Sequence, residues 1–148
     1  MRRIIVSFVF LAMTSVLFAQ KSSPAGKKAE SEDFIIKEKV EQEWNEDTWA
    51  NYKKSIYKYT QDNRLVEKIE KLWVKTTWAT SYRYTYTYDK DGKLIEELMQ
   101  DWLQGEWVNN TKHTFTYDKS GELEEELVQL WEEDKWINQY KNTYSKKK

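Results

Sequence analysis

At 148 residues, with no cysteine and with 24 basic residues against 25 acidic ones, the chain has room for one modest domain. Disulfide, zinc–thiolate and cysteine-nucleophile chemistry are excluded. Both signs of charge are interleaved, and the basic runs are short, Arg2-Arg3, Lys27-Lys28, Lys53-Lys54 and Lys146-Lys147-Lys148, so the basic stripe that nucleic acid requires is absent. No nucleic-acid partner and no cofactor are expected.

Residues 1–19 predict a signal peptide. Arg2 and Arg3 form a basic start, residues 4–18 carry no charge, and Ala19-Gln20 offers a small residue at a cleavage point, although Leu17 two positions earlier is less favourable. The apolar stretch falls short of the roughly 20 residues that a spanning helix needs. No cysteine follows it, so a lipid-modified N-terminal cysteine is excluded, and the expected destination is the periplasm, the cell surface or the medium. Loss of Arg2 and Arg3 leaves 22 basic residues against 25 acidic, a net charge of about −3. Residues 20–33 hold the single proline, Pro24, among small and charged residues, and read as a flexible linker.

From Phe34 onward the composition changes. All eight tryptophans fall in two series, Trp44, Trp73, Trp102, Trp131 and Trp49, Trp78, Trp107, Trp136, each with a step of 29 residues. The same step relates Tyr57, Tyr86, Phe115 and Tyr144, and also Leu65, Leu94 and Leu123, and Glu67, Glu96 and Glu125. A fixed period of this size implies one supersecondary unit per step, each stacked on the next.

Within a unit the alternation is that of a strand. Trp78, Thr80, Tyr82, Tyr84, Tyr86 and Tyr88 are expected on one face, continued on the next strand by Leu94, Glu96, Leu98, Gln100 and Trp102. Thr, Lys, Arg and Glu are expected opposite. A helix over 94–103 is the competing reading, because Glu and Leu favour helices, but the equivalent stretch 65–73 lacks the helical pattern.

Two kinds of turn alternate. Asp89-Lys90-Asp91-Gly92-Lys93 and Asp118-Lys119-Ser120-Gly121-Glu122 suit a three-residue hairpin loop with a left-handed glycine, which sets Tyr88 opposite Leu94. The four residues between Trp102 and Trp107 place those two rings opposite each other. The fold class predicted is therefore all-β: an antiparallel up-and-down meander of about eight strands, over 34–42, 49–60, 65–73, 78–88, 94–102, 107–117, 123–131 and 136–144. Its aromatic face needs cover, from closure into a barrel or from a second copy or ligand on an open curled sheet.

Tyr86-Thr87-Tyr88-Asp89-Lys90-Asp91-Gly92 and Phe115-Thr116-Tyr117-Asp118-Lys119-Ser120-Gly121 resemble the tyrosine–aspartate (YD, or Rhs-type) repeats of bacterial surface and toxin-shell proteins. The Trp-x4-Trp and Trp-Val-Asn elements resemble longer hairpin repeats in exported proteins of the Bacteroidetes and related bacteria. The resemblance covers residues 36–144 and implies a secreted or surface β-structure with no catalytic residues to transfer. The period is longer than in typical YD repeats.

Acid–base or metal chemistry would fall on the single histidine, His113, whose equivalents one unit away are Tyr84 and Asn142, so the architecture does not require an imidazole there. Asp89-Lys90-Asp91-Gly92 shares the start of a calcium loop, but its glycine comes too early and a hairpin turn accounts for it better. No catalytic and no metal residues are assigned, and an enzyme is not expected. An outer-membrane barrel would need an uncharged lipid-facing band, and neither strand face has one. Glu67, Glu96 and Glu125 are expected on the aromatic side, either as acceptors for tyrosines such as Tyr57 or Tyr86 or as part of a sugar-reading surface. The candidate binding face is Trp73, Trp78, Tyr82, Trp102, Trp107, Trp131, Trp136, Glu96, Gln100 and Asn109. Two functions stay open: a structural or protein-interaction module, for which the aromatic face offers a surface for self-association, and a module that binds glycan or cell wall through stacking on its rings.

Overall fold

The computed structural model describes residues 5–8 and 33–146. The cleavage point at Ala19-Gln20 and nearly all of the expected linker lie outside them. One antiparallel sheet contains every strand, in the order of the chain: β1 (Ile5–Phe8), β2 (Ile35–Asn45), β3 (Thr48–Tyr59), β4 (Leu65–Val74), β5 (Thr77–Tyr88), β6 (Leu94–Leu103), β7 (Glu106–Tyr117), β8 (Leu123–Glu132) and β9 (Lys135–Thr143). The eight strands from β2 to β9 follow the expected meander closely, and residues 94–103 are strand, not helix. The sheet is open: the first and last strands do not pair, so no barrel forms. β1 lies inside the expected signal peptide and pairs with the outer edge of β2, from Ile5 opposite Glu43 to Phe8 opposite Val40.

The two turn chemistries do what their sequences dictate. Trp44 faces Trp49, Trp73 faces Trp78, Trp102 faces Trp107 and Trp131 faces Trp136 across two-residue turns. The first central residue of each turn is left-handed, at φ 52° for Glu46, 56° for Lys75, 53° for Gln104 and 48° for Glu133. Such turns match the twist of the flanking strands. In the other turn the Asp89 carboxylate accepts from the backbone N–H groups of Asp91 (2.9 Å) and Lys93 (2.8 Å). Asp118 repeats this with Ser120 and Glu122, at 2.8 and 2.9 Å. Gly92 and Gly121 take the left-handed position at φ 81° and 84°, and Asn63 fills it at φ 63° in the first loop of this kind.

The expectation of one shared aromatic face is overturned. Glu70 pairs with Tyr82 while the next residue, Lys71, pairs with Thr80, so Ser81 is a bulge left without a partner. Tyr52, Asn110 and Gln139 are bulged in the same way at the same 29-residue step. A bulge adds one residue to a strand and shifts its alternation by one. Trp78 and Thr80 therefore lie on one face, and Tyr82, Tyr84, Tyr86 and Tyr88 on the other. A second bulge at Val66, Ile95 and Glu124 reverses the phase again. Leu94 thus sits with the tyrosines, while Glu96, Leu98, Gln100 and Trp102 sit with the tryptophans.

Rows of paired residues also drift along the strands. Ser55 leads through Glu70 to Tyr82, whose counterpart one unit earlier is Lys53, so each hairpin is set back by two residues from the one before. With no second layer, most side chains stay half-exposed, and Val128 is the one buried hydrophobic residue among those described.

Replacing Gly92 by alanine puts a Cβ on a left-handed backbone with open space around it, so the cost is conformational alone. We expect Gly92→Ala to destabilise the sheet by about 1 kcal/mol in urea unfolding, with no change in the Trp–Trp contacts seen by circular dichroism. An unchanged midpoint would contradict the assigned turn.

Candidate functional site

The tryptophan face is built from four edge-to-face ring pairs. Their centroids lie 5.1 Å apart in Trp44/Trp49, 4.9 Å in Trp73/Trp78, 4.8 Å in Trp102/Trp107 and 4.9 Å in Trp131/Trp136. Geometry of this kind adds about 0.5–1.5 kcal/mol per pair beyond burial. One row inward, amides pair across the strands: Gln42 donates to Asn51 at 3.1 Å, Gln100 to Asn109 at 2.9 Å and Gln129 to Asn138 at 2.8 Å. In the second unit Lys71 and Thr80 hold those places.

Each of the later hairpins is clasped by the one before it. Lys54 Nζ lies 5.2 Å from the Trp78 ring centroid, the Arg83 guanidinium 4.9 Å from Trp107 and Lys112 Nζ 4.6 Å from Trp136. Arg83 also donates through Nε (2.9 Å) and Nη2 (2.6 Å) to Oε1 of Gln100, so the nearly buried Gln100 links the cation, the amide row and the ring. The set-back of two residues per hairpin creates this geometry, because it brings the next hairpin's tryptophan level with a side chain that would otherwise pass it.

The tyrosine face is laid out differently. Tyr88 donates its hydroxyl to the Leu65 carbonyl at 2.8 Å and Tyr117 to that of Leu94 at 2.7 Å. The Leu65 carbonyl lies beyond the last β4–β5 pair, Glu67 opposite Thr85. Lys68 Nζ sits 3.8 Å from the Tyr84 ring and Lys93 Nζ 5.0 Å from Tyr117. Charges alternate along the same face: Lys39 contacts Glu41 at 2.7 Å, Lys53 lies 3.6 Å from both Glu41 and Glu70, and Lys68 lies 3.2 Å from Glu70. The Glu41 carboxyl is held below its usual range. Burial pushes it up, but its hydrogen bond to Lys39 and the charges of Lys53 and Lys39 outweigh that. Asp101 accepts from the bulged Asn110 at 2.7 Å, and its other oxygen is buried with no partner among the described residues.

Nine of the ten residues of the candidate binding face are brought to the tryptophan side: Trp73, Trp78, Trp102, Trp107, Trp131, Trp136, Glu96, Gln100 and Asn109. Tyr82 is not, because the bulge at Ser81 turns it to the opposite face. Glu67, Glu96 and Glu125 also lie away from Tyr57 and Tyr86. Glu125 instead pairs with Lys141 at 3.0 Å, as Lys54 pairs with Glu38 at 2.8 Å. The cationic clasp was missed by sequence reasoning, although Lys54, Arg83 and Lys112 keep the 29-residue step and gave a signal.

His113 lies on the tyrosine face with Nδ1 2.8 Å from Glu126 Oε1 and its ring stacked near Phe115. Glu126 is also the acceptor for Asn142 at 2.9 Å and Tyr144 at 3.3 Å. Its carboxyl is lowered by the bond to His113 first and by Asn142 second, so it serves as a saturated structural acceptor. Among the described residues no group of three or more His, Asp or Glu side chains is placed to hold a metal ion.

No family model matches the chain, and a comparison with curated proteins finds no match. Solved structures share its form. A protein of unknown function from Bacteroides fragilis NCTC 9343 superposes with a TM-score of 0.62 at 16% identity, over 77% of this chain and 94% of that one. A DUF3836 family protein from Bacteroides vulgatus ATCC 8482 gives a TM-score of 0.49 at 18% identity, covering 62% of this chain and 98% of that chain. Another, from Parabacteroides distasonis ATCC 8503, gives 0.46 at 18% identity, covering 72% and 87%. The first of these likenesses establishes a shared all-β fold, and at such identity it carries no activity across.

Two measurements probe the faces separately. In a double-mutant cycle on Arg83→Ala and Trp107→Ala, followed by urea unfolding, the clasp should appear as a coupling of about 0.5–1 kcal/mol, and strict additivity would contradict it. On the other face, burial first and the nearby Glu70 and Glu97 second push Tyr84 up to about 12, and burial raises Tyr86 as well. The folded state therefore binds these protons more tightly than the unfolded chain, whose tyrosines titrate near pH 10. Stability should be intact below about pH 10 and fall as pH rises toward 12, with a late step in the ultraviolet tyrosinate titration. A single unshifted step would contradict it.

Proposed function

We propose that the chain is an exported, non-catalytic module with a structural or protein-binding role at the cell surface or outside the cell. The observation that carries this reading is the one-layer sheet, on which several of the most enclosed carboxylates are paired within the sheet. Glu41, Glu70, Glu125 and Glu126 each hold a lysine or histidine. What is left to offer is area: two broad, half-exposed faces and two strand edges. The apolar, charge-free residues 4–18 behind Arg2 and Arg3 support export, and the resemblance to YD-type surface repeats points the same way.

A second reading, glycan or cell-wall binding, is favoured by the row of half-exposed indoles beside Gln100 and Asn109. Sugars stack on ring faces, and the clasp occupies a face of Trp78, Trp107 and Trp136. The rings left for stacking are Trp44, Trp49, Trp73, Trp102 and Trp131, of which Trp44, Trp49 and Trp102 are 49%, 38% and 37% exposed.

Fractionation of producing cells, with N-terminal sequencing, should find the processed chain outside the cytoplasm. An intact chain in the cytosol would overturn export. Acrylamide quenching of tryptophan fluorescence with and without a panel of polysaccharides separates the two roles. No protection is expected for a structural module. Protection that Trp102→Ala abolishes without unfolding would establish the glycan reading in its place.

A further inference from the structure

A cation of one hairpin covers a tryptophan of the next three times inside the chain, and the two halves of this clasp recur unjoined at opposite ends of the described sheet. Its full form is a row of four side chains. Arg83 on one hairpin meets Gln100, Asn109 and Trp107 on the next, and Lys112 stands in the same place to Gln129, Asn138 and Trp136. Gln42, Asn51 and Trp49 form the receiving half on the first hairpin, with the amides already bonded at 3.1 Å. No cation lies over Trp49 among the described residues. At the far end Lys141 keeps the step of Lys54, Arg83 and Lys112, and among the described residues no strand pairs with the outer edge of β9 to bring it a tryptophan.

We infer that the mature protein extends its own sheet, β9 of one copy pairing with β2 of the next. The register is fixed by the β7–β8 pair, in which Lys112 faces Gln129 and Thr114 faces Leu127. Transposed by whole units, it sets Lys141 against Gln42 of a second copy and Thr143 against Val40 of that copy. Lys141 then covers Trp49 of the second copy as Lys112 covers Trp136. Its bond to Glu125 is no obstacle, because Lys54 holds Glu38 at 2.8 Å and Trp78 at once.

Three further observations favour a second copy as the occupant. β9 (KWINQYKNT) carries two lysines and no acid, whereas β2 (IIKEKVEQEWN) carries three glutamates against two lysines, so the edges are complementary in charge. Both edges carry large exposed side chains, Ile36 at 55% and Trp44 at 49% on the β2 side and Tyr140 at 54% on the β9 side, as the inner turns do with Val74 and Leu103. Finally, the outer edge of β2 takes a strand when one is offered, since β1 pairs there antiparallel, in the sense β9 would adopt. The inference rests on the reading of the chain as exported, because removal of the leader that contains β1 bares the edge. Joining unlike edges without closure gives open, head-to-tail assemblies, in contrast to a closed dimer.

The test uses processed protein purified from the secreted fraction, followed by sedimentation velocity over a range of concentrations. Its mean size should grow with concentration, and protein that retains the leader should stay monomeric. Lys141→Glu and Trp49→Ala should each weaken association about tenfold or more, with far-UV circular dichroism confirming the fold. Each variant keeps one working edge. Either one, added in small amount, should therefore shorten wild-type assemblies, and the two mixed in equal amounts should stop at dimers. Processed, secreted protein that remains monomeric would overturn the assembly and leave the exported-module reading standing. So would association that both variants retain unchanged, which would place the contact on a sheet face.

Discussion

A sheet one layer thick has no interior, so neither of its faces can be left to a core. Each must be stabilised by contacts among its own side chains, and a regular strand whose aromatic rings recur at every second residue gives them all to one face. The bulges at Tyr52, Ser81, Asn110 and Gln139 resolve this constraint. Each shifts the alternation at one point, so that a strand presents tryptophan to one side over its first part and tyrosine or its substitute to the other side over the rest. Everything else described in the fold depends on that shift. The ring pairs, the amide row and the cations share one face because the bulge keeps the tyrosines off it.

Cohesion along the sheet comes from contacts that skip a strand. Lys54 on β3 reaches Trp78 on β5, and Arg83 on β5 reaches Trp107 on β7. Hairpins are thereby tied to their sequence neighbours and to nothing more distant, the quasi-one-dimensional arrangement in which stability is a sum of unit and interface terms. Burial does not follow distance from the two ends, since Ser55 on β3 and Val128 on β8 are more buried than the central Gln100 on β6. An end hairpin has one interface where an inner hairpin has two.

Strands and turns were legible in the sequence, whereas the faces were not, and the cause is specific. Turn residues act locally: Gly92 and Gly121 announce the left-handed position, and Asp89 and Asp118 announce the carboxylate that closes the loop. A bulge has no such marker. The four residues bulged on the outgoing strands are Tyr, Ser, Asn and Gln, which share no property that a strand interior would forbid. Each unit after the first also contains a second bulge, at Val66, Ile95 or Glu124, and two shifts of one residue restore the original parity. The alternation from Trp78 to Tyr88 and from Leu94 to Trp102 thus looks unbroken although the phase changes twice. Tyr82 was assigned to the wrong face for this reason alone. Glu96, Gln100 and Asn109 were placed correctly because they lie on the tryptophan side of both shifts.

Periodicity also bears on where a partner can act. On either face, a ligand meets nearly the same pattern every 29 residues, so face binding should be multivalent and tolerant of the loss of one unit. The edges are unlike the faces, because each occurs once and carries a set of groups that no inner strand leaves unjoined. Most strands that end a sheet are blunted by charge, proline or distortion. Here the bulge at Gln139 lies toward β8, β9 contains no proline, and its Lys141 stands at the position that already binds a neighbouring hairpin elsewhere in the chain. A lysine in that place is a poor guard against another copy of the same unit, since the unit is built to receive it.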